Sequence, residues 1–420
     1  MKTSFPKEKI SVVLLEGIHP VARQQLAGEG FIVTSTDKAL EGPALRKAIA
    51  GAHVIGIRSK TELRAADLAE APRLLTVGCF CIGTNQVDLA AARSAGVAVF
   101  NSPFSNTRSV AELTIAEIIA LHRRLGDQST AMHLGNWDKS AAGAHEVRGR
   151  TLGIVGYGHI GSQVSVLAEA MGMRVVFFDI ASKLPLGNAR PCRSLDELLK
   201  LSDVVTLHVP ATRTTDKLLG RAQIKLLRRG THVINNARGS VVDIDALAEA
   251  LASGHIGGAA LDVFPDEPAG KGDRFVSPVQ GKPNVILTPH VGGSTEEAQA
   301  NIAEDVCGKL LAFVNKGTTS GSVNVPEVDL PEQSSADDAA QASTRRHRIL
   351  HLHRNVPGVL NKLHAAIAAH NLNINAEYLQ TRGELGYVVL DIDPPPAAKG
   401  KAIVESLRQM PETVRVRVLW

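Results

Sequence analysis

The sequence predicts an α/β protein of two doubly wound, parallel-sheet (Rossmann-like) domains followed by a small ferredoxin-like βαββαβ unit. Three observations carry this reading. Apolar strand runs alternate with helical patterns in two series, a G-x-G-x-x-G turn joins strand to helix in the second series, and residues 347–420 run strand, helix, strand, strand, helix, strand. The 420 residues, 44% hydrophobic and 21% charged, are ordinary globular composition with room for two or three cores. Lys plus Arg of 46 against Asp plus Glu of 42 gives +4 with the basic residues dispersed, so neither a nucleic-acid nor a membrane partner is indicated. No apolar run approaches the roughly 18 residues of a membrane span, and residues 1–6 lack a signal-peptide core, so a cytoplasmic chain is expected. Cys79, Cys81, Cys192 and Cys307 fit neither a disulfide framework nor a closed metal site, and no metal is expected.

The first series runs through strand 10–15, helix 21–28, strand 31–33, helix 44–50, strand 53–57, strand 74–77, helix 87–94 and strand 97–100. Ligands of such sheets sit beyond the strand C-terminal ends, which places Arg58, Ser59 and Lys60 on a rim where cations can meet an anionic substrate. One helical pattern spans 107–125, and a second long one spans 295–313. Two long helices bracketing the second series imply that the chain leaves the first domain once and returns to it. The substrate-binding domain is therefore predicted over 1–106 and 294–330, the dinucleotide domain over 107–293, a linker rich in Ser, Ala and Asp over 331–346, and the terminal unit over 347–420.

The second series opens with strand 151–155, the turn Gly156-Tyr157-Gly158-His159-Ile160-Gly161, and a helix carrying Val164, Leu167, Ala168 and Met171. Gly156 permits the tight turn, Gly158 lets the backbone approach a pyrophosphate, and Gly161 lets helix and strand pack closely. Strand 174–178 ends on Asp179, whose carboxylate accepts from a ribose diol and repels a 2′-phosphate, so NAD is expected over NADP. Helix 195–201, strand 204–209, helix 222–227, strand 231–235, helix 244–252 and strands 259–263 and 285–288 complete the series.

Proton and hydride chemistry on a 2-hydroxy acid needs a base, a carboxylate to hold it, and a cation for the substrate. His290 follows one strand, Glu267 another and Arg238 a third, all at adjacent C-terminal ends. Taken singly each is weak, since the chain holds 15 histidines and loop acids and arginines are common.

Together, the glycine turn, Asn236-Ala237-Arg238-Gly239, Leu261-Asp262-Val263-Phe264 to Glu267-Pro268, and Thr288-Pro289-His290-Val291-Gly292-Gly293 resemble the D-isomer-specific 2-hydroxyacid dehydrogenase family. Within it, residues 78–88, residues 105–112 and the terminal unit resemble the branch that oxidises 3-phospho-D-glycerate and carries an ACT-type regulatory domain. The resemblance spans nearly the whole chain. It implies that Arg238 binds the substrate carboxylate and carbonyl oxygen, Glu267 orients His290, and His290 is the acid/base while hydride passes between substrate C2 and NAD. It further implies that Gly156, Gly158, His159, Ile160 and Gly161 line the pyrophosphate, that Asp179 holds ribose, and that Asn236, Ala237, Asp262, His290, Val291, Gly292 and Gly293 border the nicotinamide. Arg58, Ser59 and Lys60 resemble the phosphate-binding residues, with Asn106 nearby and Lys139, near Trp137, reaching a neighbouring subunit. Lys60 is a point charge where relatives often have an arginine fork. His353, Asn355 and Asn373 match positions that bind L-serine as an effector in inhibited relatives, and a homotetramer is expected.

The implied reaction is oxidation of 3-phospho-D-glycerate to 3-phosphooxypyruvate, at the entry to serine biosynthesis, with side reduction of 2-oxoglutarate. Two alternatives stay open: another 2-hydroxyacid dehydrogenase, acting on glyoxylate or 2-oxoglutarate, and an NAD-sensing co-repressor of the same fold.

Overall fold

The computed structural model describes residues 5–268, 272–331, 347–395 and 397–419, with the side chains of 397–399 left aside. The linker expected over 331–346 lies, from 332 onward, outside the described residues. The chain divides into two compact units, Met1–Ser105 with Gln299–Trp420, and Asn106–Ala298.

In the first unit, β1 (Ser11–Leu14), α1 (Pro20–Gly28), β2 (Ile32–Ser35), α2 (Gly42–Ile49), β3 (Val54–Ile57), α3 (Ala65–Ala69), β4 (Thr76–Cys79), α4 (Leu89–Ser94) and β5 (Ala98–Asn101) form the first series. The five strands are parallel in the order β2-β1-β3-β4-β5. β3, β4 and β5 are buried at every position, the mark of strands covered on both faces.

The second unit begins with α5 (Thr107–Arg123) and α6 (Leu125–His133). The single helix expected over 107–125 therefore ends earlier, because Arg124 adopts a left-handed conformation (φ 51°) and turns the chain into α6. Then follow β6 (Thr151–Val155), α7 (His159–Ala170), β7 (Arg174–Phe178), β8 (Arg190–Pro191), α8 (Leu195–Leu201), β9 (Val204–Leu207), α9 (Arg221–Leu226), β10 (Thr231–Asn235), α10 (Ile244–Ala252), β11 (Ile256–Leu261) and β12 (Val285–Leu287). The parallel sheet reads β12-β11-β10-β9-β6-β7-β8, so the order reverses between β6 and β9, where such sheets open a crevice for a ligand.

The chain returns through α11 (Glu296–Lys316) to β13 (His347–Arg354), α12 (Val359–Ala368), β14 (Ile374–Arg382), β15 (Leu385–Ile392), α13 (Ala397–Arg408) and β16 (Thr413–Leu419). These four strands are antiparallel in the order β14-β15-β13-β16. One face buries Leu363, Ile367, Ile403 and Leu407 of its own helices. The other face adds Leu350, Leu352, Tyr387 and Val389 to a core that also holds Val12, Phe100, Val306 and Leu310. The terminal sheet thus shares an interior with the first series, which is why the two fall into one unit.

Polar groups fasten the same contact. The Tyr387 hydroxyl donates to the Gly317 carbonyl at 2.6 Å, and Arg417 donates to the Val314 carbonyl at 2.9 Å while lying over the Phe313 ring. Arg348, 1% exposed, grips Asp391 with two parallel bonds of 2.7 and 2.8 Å. Removing one member of a buried pair strands the other, at a cost of about 3–5 kcal/mol. Asp391→Ala should therefore lower the denaturant midpoint of the full chain strongly, while Arg348→Met with Asp391→Leu recovers most of it. An Asp391→Ala midpoint equal to wild type would show that the pair adds nothing.

Candidate active site

In the second unit the glycine turn has the local geometry its sequence demands. Gly156 has φ 92°, and a side chain there would strike the His208 carbonyl. A side chain at Gly161 would strike the Gly156 carbonyl, so α7 can lie close to β6 only with glycine at that position. At Gly158 an added Cβ meets nothing within 4 Å, which leaves clear space where a phosphate group would approach the opening of α7. Asp179, one residue past β7, accepts from the Tyr157 N–H at 2.8 Å and from the Ala181 N–H at 2.9 Å, so its carboxylate is held against the turn. Clear space over Gly158, an amide-rich helix start and a fixed acid at the second strand's end together fit a dinucleotide. His208 was not singled out by sequence; burial pushes its imidazole down to about 3, and it stays neutral beneath the turn.

Arg238, Asp262 and His290 follow β10, β11 and β12, which are neighbours in the sheet. The Asp262 side chain is buried and organises the rest. Its Oδ1 accepts from Thr288 Oγ1 at 2.6 Å and from the Val291 N–H at 2.8 Å, and its Oδ2 accepts from the Gly292 N–H at 2.7 Å. Its carbonyl receives the His290 N–H at 2.8 Å. These bonds hold His290 at φ 56°, a conformation a non-glycine residue adopts only when its surroundings impose it. The ring then presents Nδ1 to Glu267 Oε2 at 2.8 Å. A carboxylate only accepts, so Nδ1 carries the proton and Nε2 keeps its lone pair for a substrate. Glu267 is steadied in turn by the Phe264 N–H, which donates to Oε1 at 3.1 Å.

Arg238 is exposed, and Asn235 ties its loop by donating to the Arg238 carbonyl at 2.9 Å. A side chain at Gly239 would collide with the main chain of Phe264, so glycine there lets the Arg238 loop lie against the Glu267 loop. Asn236 turns inward, and its Nδ2 donates to Glu117 Oε2 at 2.7 Å and to Thr114 Oγ1 at 3.1 Å. Ala237 is buried and Gly293 packs against Asn106, itself buried in this unit at the start of α5. Lys139 and Trp137 are both exposed. Glu117 escaped the sequence reading, because one acid on an amphipathic helix gives no sign that it faces inward.

In the first unit Arg58, Ser59 and Lys60 directly follow β3. A second unforeseen residue fixes them: Glu16, in a left-handed conformation (φ 64°), accepts from the N–H groups of Arg58 at 3.1 Å, Lys60 at 2.9 Å and Thr61 at 2.8 Å. Gln86 donates to the Arg58 carbonyl at 2.6 Å. The Ser59 and Lys60 side chains are left exposed above an anchored main chain.

In the terminal sheet, His353 and Asn355 line one cleft of about 540 Å³ together with Val359, Leu379 and Thr381. Asn373 is not among the lining residues. It bonds Asp393 at 3.1 Å, at the end of the β14–β15 pair opposite to the one where His353 faces Gly386. One copy therefore does not bring the three together.

Residues 115–292 match the model of the D-isomer specific 2-hydroxyacid dehydrogenase NAD binding domain, and residues 349–415 match an AHAS small subunit-like ACT domain. The chain is 51% identical to the D-3-phosphoglycerate dehydrogenase of Haemophilus influenzae, over 100% of this chain and 99% of that protein. It is 47% identical to the enzyme of that name from Escherichia coli K12, over the full length of both. Among solved structures it resembles a D-lactate dehydrogenase from Aquifex aeolicus complexed with NAD and lactic acid, at 30% identity and a TM-score of 0.64, covering 75% of this chain and 100% of that one.

The Glu16 contacts make a prediction that needs no substrate. Glu16→Ala should speed amide hydrogen exchange across residues 58–61, with Glu16→Gln intermediate because it keeps one acceptor oxygen. Unchanged exchange in Glu16→Ala would remove Glu16 as the anchor.

Proposed function

The chain belongs to the D-isomer-specific 2-hydroxyacid dehydrogenase family, and from that premise we propose that it oxidises 3-phospho-D-glycerate to 3-phosphooxypyruvate with NAD, the first step towards L-serine. The observation that carries the reading is the His290–Glu267 pair at 2.8 Å, set with Arg238 on adjacent strand ends of a dinucleotide domain. NAD, held by the glycine turn and Asp179, supplies the acceptor for the hydride that leaves substrate C2. His290 Nε2 takes the C2 hydroxyl proton, and Glu267 favours the imidazolium that results. The Arg238 fork receives the substrate carboxylate and the oxygen that becomes the carbonyl. Arg58, Ser59 and Lys60, with Asn106, take the phosphate end, and Ala237, Asp262 and residues 291–293 border the nicotinamide. In the reverse direction the same groups would reduce a 2-oxo dianion such as 2-oxoglutarate.

The ACT-type unit is read as the seat of a small-molecule effector, L-serine. Its edge strand β14 alternates between half-buried and exposed residues along its first half. Antiparallel pairing with β14 of a second copy would bring the Asn373 end of one strand to the Thr381 end of the other, where the His353 and Asn355 cleft lies. The homotetramer expected of the family supplies such a pairing. Among the described residues no helix is long and apolar enough to cross a membrane, and we assign the enzyme to the cytoplasm.

His290→Ala should lower turnover by about 10²-fold or more with NAD binding retained, and Arg58→Ala should raise the KM for 3-phosphoglycerate far more than that for an unphosphorylated 2-hydroxy acid. Absorbance of reduced nicotinamide, followed over a panel of 2-hydroxy and 2-oxo acids, measures both. Near-normal turnover in His290→Ala, or equal losses on both substrates in Arg58→Ala, would contradict these assignments. For the effector, calorimetric titration of the full chain should give a heat of serine binding that Asn355→Ala abolishes; no binding to wild type would end that reading.

A further inference from the structure

Beneath the strand ends that carry Asn236 and Asp262 lies a carboxyl group that the mechanism above does not use. Glu117, on α5, is 2% exposed. Its Oε2 accepts from Asn236 Nδ2 at 2.7 Å, and the same amide reaches Thr114 Oγ1 at 3.1 Å. Both remaining oxygens of the pair, Glu117 Oε1 and Asn236 Oδ1, are buried with no partner among the described residues. A buried acid held by one neutral amide is under-stabilised as an anion, and an unpaired carboxylate oxygen has a proton or a nearby positive charge as its remedies. Burial pushes Glu117 up to about 7; the Asn236 bond opposes this, and the Asp262 charge adds to it. Among the described residues the groups that bear on it are Thr114 on its own helix, uncharged Asn236 past β10, and the Asp262 carboxyl past β11.

The residues next to that cluster border the nicotinamide on the reading given above, and the present inference rests on that reading. The two cofactor forms differ there by one positive charge, carried by the oxidised ring and absent from the reduced one. We propose that Glu117 is a positioning residue that ionises when the oxidised cofactor binds and is protonated with the reduced one, so that a buried carboxylate beneath the Asn236–Ala237 peptide favours the charged ring. The sign follows from linkage. Oxidised cofactor selects ionised Glu117, which is depleted as pH falls through about 7. NAD⁺ affinity should weaken below that pH by up to about tenfold per unit, and NADH affinity should not share the loss.

The test counts protons. Titration calorimetry of the full chain in two buffers of different ionisation enthalpy gives the protons released per NAD⁺ or NADH bound at neutral pH. Wild type should release up to roughly half a proton more than Glu117→Gln with NAD⁺, and with NADH it should instead take up as much as roughly half a proton that the variant does not. The glutamine keeps the shape and the acceptor for Asn236. Should that variant fail to fold, wild type alone decides by difference infrared spectroscopy, where a carboxylic-acid C=O band should vanish on adding NAD⁺ and persist on adding NADH. Equal proton counts in both proteins, or a band indifferent to NAD⁺, would overturn the proposal while leaving the cofactor reading intact. Absence of any heat with either nucleotide would overturn the cofactor reading and the proposal with it.

Discussion

The second unit depends on one buried carboxylate. Asp262 gathers a hydroxyl and two main-chain N–H groups from residues 288–292, and so converts the end of β12 into a loop with a single shape. Hydrogen bonds to a charged acceptor contribute about 1.5–3 kcal/mol each, enough to hold His290 in a left-handed conformation that costs of order 1–3 kcal/mol. The imidazole is therefore aimed by its backbone before Glu267 touches it. Glu267 completes the aim and selects the tautomer. Catalysis by a positioned base depends on such prior fixing, because a side chain free to rotate would pay for its orientation in every turnover.

The same device recurs in the first unit. Glu16 receives three main-chain N–H groups from residues 58–61 and holds a loop on which the Ser59 and Lys60 side chains are exposed and Arg58 is half-buried. In both cases a buried carboxyl group accepts main-chain N–H groups and so fixes the backbone of the residues beside it. The terminal sheet is fastened differently, by arginines: Arg348 with a carboxylate, and Arg415 and Arg417 with main-chain carbonyls. Burial lowers Arg417 to about 10, which still leaves it charged at neutral pH. The shared apolar interior and these bonds make that sheet part of the first unit, not an independent appendage.

How much of this was legible in the sequence follows from the range of the interactions. The glycine turn, the alternation of strands and helices, and the placement of Arg238, Glu267 and His290 at strand ends are local matters, set by a few adjacent residues and a period. Glu16 meets Thr61 across 45 positions and Glu117 meets Asn236 across 119, and no spacing rule reaches that far. Asp262 was read as bordering the cofactor, but its grip on residues 288–292 becomes visible only when β11 and β12 lie side by side. The break at Arg124 had no signal, since glycine or asparagine usually marks a left-handed residue. Asn373 matched a motif, yet its distance from His353 along the sheet is a property of register.

If Asp262 acts through His290, their losses must not multiply. The direct measurement is a double-mutant cycle on turnover, comparing Asp262→Asn in the wild-type background with the same change beside His290→Ala. The account predicts that Asp262→Asn lowers turnover by about 10²-fold or more on its own and costs little once His290 is gone. Equal losses in both backgrounds would contradict it, because Asp262 would then serve the reaction by a route that does not pass through the histidine.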